Sequence, residues 1–134
     1  VEQFKEAVLA ARKVAYIDPA SGGSSGIYLD GLFRRLGIAE EVSAKAVLVP
    51  GGLVAERLVS GEADLAIHQV SEIHPVKGVT LAGTLPEAIQ SYTTYAGAVG
   101  RASRTPQLAR ELLDTLAGPA AAATLRAKGM LPPP

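Results

Sequence analysis

The residues best suited to chemistry are the bare backbone and hydroxyls of "SGGSSG", Ser21 to Gly26, set between the apolar run Val14 to Ile17 and an amphipathic helical pattern. The first amides of a helix have no partner inside it and lie at the positive end of its dipole. Ser24, Ser25 and Gly26 at such a start would offer N–H and hydroxyl donors to an anion without a full positive charge. Gly22, Gly23 and Gly26 would let that ligand approach the backbone closely. Pro50-Gly51-Gly52 repeats the arrangement one strand-helix unit later, and two donor-rich turns on one sheet edge can face one ligand. The same residues also admit a plainer role, with Ser24 or Ser25 capping the helix and the glycines turning the chain.

Enzymatic patterns are weaker. Gly22-Gly23-Ser24-Ser25-Gly26 fits the G-x-S-x-G of a hydrolase nucleophile turn, and Asp64 with His68 or His74 follows in the chain order Ser, Asp, His. Against this, Asp18-Pro19-Ala20-Ser21 separates the strand from the pentapeptide. Asp64 and His68, four apart on a strand, would be roughly 13 Å apart, too far for the hydrogen bond such a triad needs. The absence of cysteine excludes a thiol nucleophile, a zinc-thiolate site and any disulfide. Neither histidine falls in a metal-ligand spacing and no phosphate-binding G-x-x-x-x-G-K-[ST] occurs, so the expectation is a non-enzymatic binding protein with no cofactor or metal.

These positions need a scaffold. A chain of 134 residues with 48% hydrophobic content suits one folded globule with a modest core. Thirteen Lys and Arg against 13 Asp and Glu leave no basic face, so a nucleic acid partner is not expected. No apolar run approaches the roughly 18 residues of a membrane span. Val1 opens inside a helix-like stretch with neither Met nor an apolar leader, which reads as the interior of a longer chain.

Helix and strand patterns alternate. Glu2 to Lys13 carries Phe4, Val8 and Ala11 at helical spacing, with Arg12 and Lys13 complementing the dipole at its end. Val14 to Ile17 is a strand, and Ser25 to Leu36 a helix with Leu29, Leu32, Phe33 and Leu36 inward and Gly37 as its stop. Ala46 to Val49 is a second strand, Leu53 to Ser60 a helix, and Ala63 to His68 a third strand. Val79 to Ala82 and Ser91 to Val99 read as further strands, giving an α/β sheet with parallel pairs. Two helices close the chain, one with Thr105 as cap, Pro106 first and Leu108, Leu112, Leu113 and Leu116 inward, the other from Pro119 to Lys128-Gly129.

In order along the chain, "VAYIDPASGGSSGIYLDGLFRRLGI", "LVSGEADLAIHQVSEI", "GVTLAGTLPEAIQSYTTYAGAVGRAS" and "TPQLARELLDTLAGPAAAATLRAKGM" resemble the molybdate-binding-protein-like family of extracytoplasmic solute-binding proteins of ABC transporters. The resemblance implies a type 2 periplasmic binding fold in which two α/β lobes close on an oxyanion by hinge motion and deliver it to a membrane permease. It places residues 1–92 in the second, ligand-binding αβα lobe, and residues 93–134 in a returning crossover strand with C-terminal helices that pack on the first lobe. It also implies that this first lobe precedes Val1 and that the chain is a fragment. Ligand contacts implied by the resemblance are Ser24, Ser25, Gly26, Gly51, Gly52 and Gln69. At Gln69 the family it resembles usually places a Tyr hydroxyl, and at Gly51 a bulkier residue, so molybdate is the family's default ligand rather than a reading of these side chains. An effector-sensing domain of a transcriptional regulator with the same fold is the alternative. Leucines left without the first lobe lead to a further expectation, a homodimer or domain-swapped oligomer through residues 92–128.

Overall fold

The centre of the structure is a run of four residues, β1 (Val14–Ile17), buried along its whole length. In the computed structural model, which describes residues 1–133, β1 is flanked by β2 (Ala46–Val49) and β3 (Leu65–Ala66) in the order β2-β1-β3. Both pairings are parallel: Val14 lies opposite Ala46 on one side and Leu65 on the other, and Ile17 opposite Val49. Side chains alternate across a strand, so β1 serves two cores at once. Val14 and Tyr16 pack with Val8, Leu29, Leu32, Phe33, Ile38 and Val42, while Ala15 and Ile17 pack with Val49, Val54 and Ala63. A central parallel strand covered on both faces reads as an uninterrupted apolar run, which is what VAYI is. The Tyr16 ring meets Phe33 edge to face with centroids 5.5 Å apart. The arrangement is a mixed α/β lobe with helices on both faces of a small parallel sheet.

The helix α2 (Ser24–Arg35) has its expected inward face, with Leu29, Leu32 and Phe33 buried. Its end is a Schellman motif: the Ile38 amide donates to the Phe33 carbonyl at 3.0 Å and the Gly37 amide to that of Arg34 at 3.1 Å. Gly37 takes φ 69°, the left-handed value a side chain would resist. Helix α1 (Glu2–Ala10) stops short of the expected Lys13. Arg12 and Lys13 instead donate their backbone amides to the Asp64 carboxylate at 3.0 and 2.8 Å. The positive charge at the end of α1 is supplied by Lys45, whose Nζ donates to the carbonyls of Leu9 and Ala11 at 2.6 and 2.7 Å.

Further expectations change. The third strand shrinks to Leu65–Ala66 and the helix expected over residues 53–60 to α4 (Glu56–Val59), because Leu53 to Ala55 form a tight turn into it. The short helices α3 (Ala39–Ser43) and α5 (Val70–Ile73) fill segments read as connections. Val79 to Ala82 and Ser91 to Val99 are not strands. Both runs have strand composition, but that preference is expressed only where a partner edge accepts the ladder, and neither finds one.

Residues 1–92 form one compact unit and the residues from Thr93 onward another. In the second, α6 (Pro106–Ala117) and α7 (Pro119–Ala127) meet at Gly118, which ends one helix and starts the next. Leu113 packs against Gly97, and Leu125 is partly buried. Leu108, Leu112 and Leu116, which follow at helical spacing, are 62%, 59% and 56% exposed. Among the described residues, no helix is long and apolar enough to cross a membrane.

Candidate ligand-binding site

All three strands run in one direction, so their C-terminal ends share one edge, the place where open α/β sheets collect ligands. After β1 the chain turns sharply. The Asp18 carboxylate accepts the Ala20 amide at 2.9 Å, and the Asp18 carbonyl accepts both the Ser21 hydroxyl at 2.7 Å and its amide at 3.0 Å. Gly22, at φ 81°, then reverses the backbone into α2. The Asp18 amide donates to the Val49 carbonyl at 2.8 Å, which ties the loop after β1 to the end of β2.

A cleft of about 380 Å³ opens on this edge. Its walls are Ser21 to Ser25 after β1, Pro50 to Gly52 after β2, and His68, Gln69 and Glu72 after β3. Of the residues read from the sequence as ligand contacts, Ser24, Ser25, Gly51, Gly52 and Gln69 come together here. Gly26 does not line the cleft. It is buried on the strand side of α2, where a Cβ would collide with the Ile17 carbonyl oxygen, so what it allows is the close seating of the helix start on β1.

Neither serine caps the helix. The cap position is Gly23, without a side-chain hydrogen bond, and the first bond of the α2 ladder runs from the Ile27 amide to the Gly23 carbonyl at 3.1 Å. The amides of Ser24, Ser25 and Gly26 therefore precede the ladder, and no backbone acceptor meets them. The plain capping role of the serines is thus unfilled, and their hydroxyls remain for the cleft.

Among the cleft residues that were not read as contacts are two with titratable side chains, His68 and Glu72. The signal was available: His68 follows the β3 run directly, at the same edge as the other two loops. Among the described residues, His68 Nδ1 is the one buried side-chain polar atom with no hydrogen-bond partner. Burial pulls the His68 pKa below its ordinary value, and the Glu72 charge opposes that shift. Asp64 is unavailable to either histidine. The Lys13 and Arg12 amides hold its carboxylate, taking its pKa down to about 2, so the Ser-His-Asp order seen in the sequence is not assembled around Asp64. Among the described residues, no group of three or more His, Asp or Glu could hold a metal ion.

A parallel α/β lobe whose strand ends present amide donors, hydroxyls and few formal charges to one open cleft defines a binding protein for small solutes. The chain belongs to the bacterial extracellular solute-binding proteins, whose family model matches residues 1–131. The family's description puts such proteins outside the cytoplasm. The chain is also 36% identical, over its full length, to a Pseudomonas protein named aconitate isomerase, and it spans half the length of that relative. No solved structure matches it.

Proposed function

We propose that this chain is the ligand-binding lobe of a solute-binding protein that captures a small carboxylate anion. The observation that carries the reading is the convergence of Ser24, Ser25, Gly51 and Gly52 on one cleft, with unladdered amides at the start of α2. Helix-start amides bind carboxylates as readily as inorganic oxyanions. One feature favours carboxylate over the molybdate expected from the molybdate-binding-protein-like resemblance: the relative is named for acting on aconitate, a small unsaturated tricarboxylate.

The whole protein then closes a second lobe over the ligand in the periplasm and passes it to an ABC transporter permease. The leucine stripe of α6 pairs this chain with a second copy of itself. The ligand reading is tested by thermal unfolding of the full-length protein with aconitate or molybdate. A ligand at 100 times its Kd stabilises by about 2.7 kcal/mol. Ser25→Asp, which sets a fixed negative charge at the helix start while retaining a good capping residue, is expected to remove that gain and leave the unliganded protein folded. Undiminished stabilisation of the variant would rule the cleft out as the anion site.

A further inference from the structure

Resting on the reading of the cleft as a carboxylate site, we propose that its ligand also carries a hydrogen-bond donor, an ammonium or a hydroxyl group, and that the Glu72 carboxylate receives it. Glu72 lies on α5, and its amide donates to the Gln69 carbonyl at 2.9 Å, so residues 69 and 72 sit one turn apart on the side that lines the cleft. The ion pairs of the described residues, Arg12 with Asp64, Arg34 with Asp30 and Arg57 with Glu62, leave the Glu72 carboxylate out. Among those residues, the one side-chain polar atom both buried and unpartnered is His68 Nδ1, so the Glu72 oxygens, which have no partner either, are open to solvent. His68 stands beside them, but burial lowers its pKa and leaves the ring neutral near pH 7. No Lys or Arg lines the cleft, and Glu72 is its one formal charge.

The walls of the cleft are thus chemically opposite. At the start of α2 the amides and hydroxyls of Ser24 and Ser25 are donors that suit a carboxylate. At Glu72 the wall is an anionic acceptor. A second carboxylate placed there would meet a like charge, and it has no hydrogen to donate. An ammonium or a hydroxyl would instead form a charge-assisted hydrogen bond. The ligand class is therefore a small hydroxy acid or amino acid, in preference to an acid whose polar groups are all carboxylates.

The experiment is calorimetric binding of succinate, malate and aspartate to the full-length protein, with aconitate as a further acid that has no donor. The first three share one dicarboxylate skeleton and differ by a hydrogen, a hydroxyl or an ammonium on the same carbon. Wild type is expected to bind malate or aspartate roughly 10- to 100-fold more tightly than succinate, the ratio that a hydrogen bond to a charged group supplies. Which of the two binds more tightly distinguishes hydroxyl from ammonium. Glu72→Gln, which keeps the size and removes the charge, is expected to cut the preference roughly tenfold, and Glu72→Ala, which has no acceptor, to abolish it. Both variants are expected to weaken the donor-bearing acids while tightening succinate and aconitate, whereas a residue that only shaped the cleft would move all four in one direction. Wild type that binds succinate at least as tightly as malate and aspartate overturns the proposal and leaves the carboxylate reading standing. A preference that survives in both variants removes Glu72 from the role. Failure of all four acids to bind overturns the carboxylate reading and this proposal with it.

Discussion

Replacing Gly26 with alanine tests how the donor-rich loop is held. A Cβ at Gly26 would overlap the Ile17 carbonyl oxygen and lie 2.9 Å from its carbon, and both are backbone atoms that cannot swing aside as a side chain would. The start of α2 would have to lift off β1, and overpacking of this kind costs about 1–3 kcal/mol. Alanine's helix propensity returns at most about 1 kcal/mol, so a net loss is expected. Gly31 provides the control. It lies in the same helix, where a Cβ would meet only the tip of Arg35 at 3.7 Å. Gly31→Ala is therefore expected to stabilise by about 0.5–1 kcal/mol. Urea denaturation of the two variants beside wild type gives both numbers from the transition midpoints. Midpoints that rise equally for Gly26→Ala and Gly31→Ala would mean that the helix start is not seated on the Ile17 carbonyl.

Three other outcomes follow from named contacts. Gln69→Tyr, which restores the hydroxyl of the molybdate-binding-protein-like pattern, is expected to move selectivity toward tetrahedral oxyanions; unchanged preference in calorimetry would place residue 69 outside the ligand shell. Asp64, held by the Arg12 and Lys13 amides, has its pKa lowered from 3.8 to about 2, so it contributes stability that is complete above pH 3.8 and is lost as pH falls through about 2. Asp64→Asn should flatten this part of the acid limb in a series of unfolding curves between pH 5 and 2, and an unaltered limb would count against the contact. The exposed leucines of α6 are expected to hold a dimer at tens of micromolar, and Leu112→Glu, in the middle of the stripe, to return it to monomer; light scattering behind a sizing column that finds wild type monomeric would refute the pairing.

The parts legible in the sequence are those that short-range physics determines. The strands Val14–Ile17 and Ala46–Val49 are bounded by turn residues and apolar throughout or nearly so, and Gly37 marks the end of α2 because the Schellman turn needs a left-handed residue there. The residues converging on the cleft were legible because parallel strands with crossovers must put every strand-to-helix loop on one edge. What was not legible depended on distant partners. Nothing within α1 signals that Lys45 would supply its terminal cation, or that Asp64 would draw Arg12 and Lys13 out of the helix. Runs such as Val79 to Ala82 look like strands on composition, yet a strand is a relation between two segments and composition describes only one. Gly26 was read as part of the ligand surface since a glycine at a helix start serves close approach to a ligand and close approach to a neighbouring strand equally well. His68 was set aside because its meaning lies in a missing hydrogen bond, which only the folded chain shows.

The bond from the Asp18 amide to the Val49 carbonyl, together with the turn closed by the Asp18 carboxylate, makes the loops after β1 and β2 one stiff frame before any ligand arrives. A ligand entering such a frame does not have to spend part of its interaction energy on ordering the loops. Selectivity among ligands of this lobe would accordingly be expressed in how slowly each leaves rather than in how fast it arrives, with encounter rates nearly constant across a series of similar solutes.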